Sequence, residues 1–228
     1  MNAPRTARER ARAELTAEIT EAARRQLAEV GPTDLSLRAI SRDLGMASSA
    51  LYRYFPSRDA LLTALIVAAY DAVGEAAESA EATVERDDLM GRWRATTRAV
   101  RTWALAHPHE YALIYGSPVP GYAAPTDTID PAGRVGLLLA GILADATETG
   151  ALGPVPGPDP ADGLLEPGLG DQLGTDPAHA VAGVLAWTWL FGVVSFELFG
   201  HYQNVIADRD AWFDDAMLRL ARLAGLAS

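Results

Sequence analysis

Neither cysteine nor lysine occurs anywhere in the 228 residues. Without cysteine there is no disulfide frame, no thiolate zinc cluster and no thiol nucleophile, a composition suited to a reducing compartment. Without lysine there is no P-loop lysine, no Schiff-base lysine and no Ser–Lys dyad. No Gly-x-Ser-x-Gly word is present, so a hydrolase nucleophile has no anchor. The run Gly168-Leu169-Gly170-Asp171-Gln172-Leu173-Gly174 evokes a dinucleotide loop, but its spacing is off by one and no strand precedes it. His107 and His109 stand two apart, cannot share a helix face and have no third His nearby, so they read as surface residues at a helix end. These absences predict no catalytic residue, no metal and no cofactor.

What charge there is comes in one form and is unevenly spread. All 19 basic residues are Arg, set against 30 acidic ones for a net charge of −11. Residues 1–60 hold 10 Arg and 8 acids, while residues 61–228 hold 9 Arg and 22 acids. A slightly basic head on an acidic body means that any contact with a polyanion must go through the head. Arg5, Arg8, Arg10 and Arg12 read as a basic arm before the first helix, able to reach phosphate or a minor groove, or else a solvated tail. Met1 to Ala13 is polar and Arg-rich rather than basic-then-apolar, which points to a cytoplasmic protein.

The head carries the densest signal. Leu15, Ile19, Ala22, Ala23, Leu27 and Val30 form one apolar face of a helix of about four turns. Gly31-Pro32 stops it. Ser36 can cap a second helix whose Leu37, Ile40 and Leu44 recur at helical spacing. Gly45 sits where that helix must end, and a third opens at Ala47 or Ser48, with Ala50, Leu51 and Phe55 facing inward. Ser48, Ser49, Arg53 and parts of Tyr52 and Tyr54 then face outward. A helix-turn-helix of this form lays its second helix in the major groove of DNA.

These words resemble the DNA-binding head of TetR-family transcriptional regulators over residues 10 to 65. The matching stretches are Ser36-Leu37-Arg38-Ala39-Ile40, Leu44-Gly45-Met46, Leu51-Tyr52-Arg53-Tyr54-Phe55 and Ser57-Arg58-Asp59-Ala60-Leu61-Leu62. Met46 stands where Val is usual and Arg58 where Lys is usual. The resemblance implies that Ser36, Arg38, Ala47, Ser48, Ser49, Tyr52, Arg53, Tyr54 and Arg58 meet DNA. Arg53 and Arg38 are expected to carry or support base reading, and Tyr52, Tyr54 and Arg58 to hold phosphates.

The body reads as further helices over 57–85, 87–106, 109–115, 131–149, 177–204 and 210–226, with a Gly/Pro/Asp-rich flexible linker over 150–175. Pro177 to Phe196 lacks formal charge for 20 residues, about the span of a bilayer. It stands alone, includes His179 and Ser195, and closes on Glu197, so a helix buried on nearly all sides, as where a domain core meets a dimer interface, is the preferred reading over a membrane span. Trp187 to Gly192 also resembles the Trp-x-x-x-His-Gly stretch of the WHG-type C-terminal domain of some TetR regulators, with Phe191 in place of the His.

The expectation is therefore an all-α chain of about nine helices, with a DNA-binding domain at 1–60 and a ligand-binding and dimerisation domain at 61–228. By resemblance it is a homodimeric regulator, a repressor released from palindromic operator DNA by a small apolar effector. Trp93, Trp103, Tyr111, Tyr115, Trp189 and Phe191 are the expected ligand contacts, with Glu197 and His201 able to orient a ligand. Trp187, Gly192, Phe196 and Phe213 are the expected dimer contacts. The alternative is a helical small-molecule-binding or enzymatic protein whose head has lost DNA affinity.

Overall fold

The computed structural model describes residues 6–158, 160 and 163–226. Among them the helices are α1 (Ala7–Val30), α2 (Leu37–Asp43), α3 (Ser48–Leu51), α4 (Arg58–Glu81), α5 (Leu89–Ala106), α6 (Pro108–Tyr115), α7 (Ile129–Glu148), α8 (Leu169–Leu173), α9 (Pro177–Leu198) and α10 (Arg209–Leu223). A 3-10 turn, Thr126–Thr128, precedes α7. The all-α class holds, and the short α8 falls inside the stretch read as linker. An antiparallel bridge between Leu152 and Leu226 is the sole extended pairing among the described residues.

Two compact units emerge. The first comprises the described residues up to Ala69 together with His109–Ile129, and the second comprises Tyr70–Pro108 with the described residues from Asp130 onward. The first therefore reaches past residue 60 and takes in α6 and the loop after it. Two side-chain contacts join these segments within the unit: Arg24 of α1 pairs with Glu110 at 3.1 Å, and the Thr63 and Tyr122 hydroxyls lie 2.9 Å apart.

In the first unit, α1 begins earlier than its apolar stripe. Thr6 Oγ1 accepts from the Glu9 amide at 3.2 Å, while Glu9 Oε2 accepts from the Thr6 amide at 2.7 Å. This reciprocal capping box satisfies two donors that a helix start leaves free. Arg8, Arg10 and Arg12 consequently ride on helix α1 instead of forming an arm, and Arg5 lies outside the described residues. Ile19, Ala22, Ala23 and Leu27 are buried, as are Leu37, Ile40, Leu51 and Phe55, whereas Val30 is exposed.

In the second unit, Trp93, Val100, Leu139, Ile142, Leu190, Val194, Phe213 and Met217 build the core. Arginines staple its helices. Arg134 of α7 reaches Asp71 at 2.9 Å and Glu78 at 2.6 Å on α4, and Arg92 of α5 reaches Glu81 at 2.5 Å and Asp145 at 2.7 Å. The expected linker is anchored where it starts: the Gly153 amide donates to the Gly225 carbonyl at 2.7 Å. A Cβ on Gly225 would come within 2.9 Å of the Gly153 carbonyl oxygen and 2.8 Å of His179, so glycine is required for that approach.

In the single chain, helix α9 is buried along one face only. Ala182, Ala186, Leu190, Val194 and Glu197 are buried, but Leu185, Trp189, Gly192 and Phe196 form a bare stripe along the opposite face. Helices α4 and α9 are both long and apolar enough to cross a membrane. Each contributes one face to a folded core, with Leu61, Leu62, Leu65 and Val73 buried from α4.

Candidate DNA-binding face and effector cavity

The helix-turn-helix is held by short polar contacts as well as by its apolar core. Ser36 caps α2, its hydroxyl accepting from the Ala39 amide at 3.4 Å, and its own amide donates to Gln26 Oε1 at 2.8 Å. Gly45 turns the chain at φ +63°, a conformation that disfavours a side chain. Ser41, buried on α2, donates to the Arg38 carbonyl at 2.9 Å and lies 3.0 Å from the Ser48 hydroxyl at the start of α3.

The outward face gathers most of the residues the sequence picked out. Arg38, Ala47, Ser48, Ser49, Tyr52 and Arg53 are exposed together around α2 and α3, and Arg42 joins them. Ser36 is half-buried and occupied as a cap. Tyr54 is half-buried with the Arg12 guanidinium 5.3 Å above its ring. Arg58 is placed differently from the sequence expectation: its Nη2 donates to the carbonyls of Pro32 at 2.6 Å and Thr33 at 3.0 Å. It fastens the turn between α1 and α2 from inside the unit.

The expected effector residues are scattered. Trp93 is fully buried with its N–H donating to the Met217 carbonyl at 3.1 Å, so it packs the core. Trp103 is buried with the His107 ring stacked 5.3 Å away. Tyr111 and Tyr115, their rings 5.0 Å apart, belong to the first unit. Phe191 is buried, edge-on to Trp187. Trp189 is exposed and borders a wide groove with Leu185, Leu220 and Leu223.

A tighter cavity of about 200 Å³ lies between α7, α8 and α9. Gly136, Leu137, Leu143, Leu173, His179 and Trp187 are among its walls, which are almost wholly apolar. Its one titratable residue, His179, is held at both ring nitrogens: Nδ1 lies 2.5 Å from Asp176 and Nε2 lies 3.0 Å from the Gly153 carbonyl. Burial pushes the Asp176 carboxyl up, but hydrogen bonds from the His179 side chain and amide outweigh it and hold it below the usual range. No metal-competent cluster of His and carboxylates occurs among the described residues.

Two polar residues expected near a ligand are otherwise engaged or placed. Glu197 is buried in a two-bond pair with Arg101, and His201 is exposed with its ring 4.9 Å from Phe196. Phe213 points into the core of its own unit beneath the Arg101 guanidinium, and the neighbouring Trp212 carries the exposure instead.

Residues 19–65 match the model of bacterial regulatory proteins of the tetR family, and residues 93–220 match the tetracyclin repressor-like C-terminal domain. The chain belongs to the TetR family. The HTH-type transcriptional regulator Rv1816 of Mycobacterium tuberculosis (strain ATCC 25618 / H37Rv) is 40% identical over 214 residues, 90% of this chain and 89% of that one. Among solved structures, SCO4313, described as a regulatory protein, is 34% identical with a TM-score of 0.70, covering 96% of this chain and 98% of that one. A protein of unknown function from Rhodococcus sp. RHA1 is 25% identical with a TM-score of 0.71 over 94% and 96% of the two chains.

As a TetR-family member the chain is a DNA-binding transcriptional regulator of all-α fold. What sequence reasoning missed in this TetR body is the glycine lining of the cavity. Gly133 and Gly136 of α7 and Gly183 of α9 line it, Gly136 facing Trp187 of α9 and Gly183 facing Leu143 of α7. Their helical spacing was readable, but which faces meet was not.

Proposed function

We propose that this regulator is a homodimeric repressor that reads a palindromic operator through α3 and releases it when a small apolar molecule fills the α7–α8–α9 cavity. The observation that carries the DNA reading is the exposed set Arg38, Arg42 and Arg53, three guanidiniums with no ion-pair partner among the described residues, beside the small outward Ala47, Ser48 and Ser49. Arg can fork onto guanine with about 1–3 kcal/mol of discrimination, and small residues let a helix approach the groove floor. The second partner is another copy of the chain. Leu185, Trp189, Gly192 and Phe196 recur at intervals of four, three and four residues, so one apolar ridge of α9 is left bare. The apolar walls of the cavity favour a neutral ligand, since no unpaired charge faces it.

The test is anisotropy titration of the purified chain on duplex DNA from upstream of its own coding region, at several salt concentrations. Specific, salt-dependent binding that Arg53→Ala weakens more than it weakens binding to unrelated DNA supports the proposal. Equal loss on both DNAs makes Arg53 a phosphate contact, and absence of binding favours the small-molecule-binding alternative.

A further inference from the structure

The Ser41–Ser48 contact fixes which hydrogen-bonding partner Ser48 can offer to DNA. A serine hydroxyl has one proton to donate and two lone pairs that accept, so an exposed serine ordinarily reads donors and acceptors alike. Here the choice is constrained. Ser41 is 1% exposed, and its Oγ lies 2.9 Å from the Arg38 carbonyl and 3.0 Å from Ser48 Oγ. The carbonyl can only accept. If Ser41 donates to it, Ser48 must donate to Ser41, and two protons make two hydrogen bonds. If Ser41 donates to Ser48 instead, its bond to the carbonyl is lost, one hydrogen bond remains within the protein, and the Ser48 proton turns to solvent. The first arrangement keeps one more hydrogen bond inside the protein, where the second gives that proton to water, and the internal bond is the favoured one by a modest margin.

We infer that Ser48 acts as an acceptor-only reader whose proton is sequestered by Ser41, so that it recognises an exocyclic amino group, adenine N6 or cytosine N4, in the major groove. Ser41 is then a positioning residue that sets the polarity of the contact without touching DNA. The inference rests on the proposed role of α3 as the reading helix. In the major groove, amino groups are the donors, while guanine N7 and O6 and thymine O4 are acceptors. An oxygen without a free proton distinguishes the two classes, which an ordinary serine does not.

The experiment uses the full chain and a random-sequence duplex library. Selection with wild type and with Ser48→Ala locates the base pair whose preference depends on Ser48. That pair is then altered one atom group at a time: purine for adenine or 2-pyrimidinone for cytosine removes the amino group, and a 7-deaza purine removes the N7 acceptor. Removing the amino group is expected to weaken wild type about five- to tenfold and leave Ser48→Ala unchanged, with the 7-deaza base neutral in both. In Ser41→Ala the freed proton makes the 7-deaza base costly as well. A Ser48-dependent loss on the 7-deaza base in wild type, with amino removal harmless, overturns the inference, as does a selected site identical for wild type and Ser48→Ala. If wild type enriches no sequence at all, the DNA-reading role of α3 falls, and this inference with it. Ser48 is exposed, so its variant keeps the test valid should Ser41→Ala fail to fold.

Discussion

Arg101 grips Glu197 through two parallel hydrogen bonds of 2.7 Å, Nε to Oε2 and Nη2 to Oε1, tying α5 to α9. Their side chains are 14% and 6% exposed, and Asp210 adds a third carboxylate contact to Arg101 at 2.7 Å. Hydrogen bonding to Glu197 is the largest influence on the guanidinium and raises its pKa despite burial. Taking away Glu197 leaves the largely buried Arg101 with only the exposed Asp210 as partner, so the cost sits at the low end of that for breaking a buried pair. Glu197→Ala is therefore expected to lower the stability of the chain by about 3 kcal/mol in urea unfolding. A loss below about 0.5 kcal/mol would mean that solvent already reaches the pair.

Arg58 joins two backbone carbonyls in the turn that sets α2 against α1. Replacing it by Ala removes a charge-assisted contact from a half-buried site, for an expected loss of about 1–2 kcal/mol. The slope of log affinity against log salt should stay as in wild type, because a guanidinium spent on carbonyls releases no counterions. A slope smaller by about one unit would restore Arg58 to the phosphate contacts that its position in the sequence suggests.

Gly192 stands mid-helix on the bare ridge of α9, and a Cβ there would meet nothing within 4 Å in a single chain. A glycine at such a place costs about 1 kcal/mol of helix propensity relative to Ala without relieving any contact inside the chain. Gly192→Leu is expected to keep the helical content of the single chain and to leave its intrinsic stability no lower than wild type, while shifting sedimentation from dimer to monomer. A dimer of wild-type affinity would place the interface on another face.

Acid should weaken the second unit. Hydrogen bonds from Arg98 hold the Asp214 carboxyl, and those from Arg134 the Glu78 carboxyl, below their ordinary values. A depressed carboxylate contributes stability above its unfolded pKa and loses it as pH falls through the folded one, because the unfolded chain binds protons first. The urea midpoint is expected to fall between about pH 5 and pH 3, and to fall less in high salt, since both groups are partly exposed. A midpoint flat across that interval would show that these pairs are screened out.

Some of the site was legible because it depends on local spacing. Leu37, Ile40, Leu51 and Phe55 could be placed inward from a 3.6-residue period alone, and the outward Ser48, Ser49 and Arg53 followed by elimination. The capping box at Thr6 and Glu9 is equally local, but it lies ahead of the apolar stripe, which begins only at Leu15. Arg58 could not be assigned this way. Whether a guanidinium meets a phosphate or a carbonyl 26 residues away depends on how the α1–α2 turn folds back.

The body shows the same division more sharply. Composition and period identified its helices, and the charge-free run of α9 announced a structural role. They did not identify which aromatics are core. Trp93, Phe191 and Phe213 are buried while Trp189 and Phe196 are bare, although all five have similar appetite for apolar surroundings. Sequence by itself determined the helices, the helix-turn-helix and the acidic character of the body, since each follows from neighbours within a few turns. Only the tertiary structure decided that Arg101 closes on Glu197, that Ser41 holds Ser48 and that glycines open a cavity beside Trp187. Those pairings join residues from different elements, and they arise when whole helix faces choose their partners to bury the most apolar surface at once.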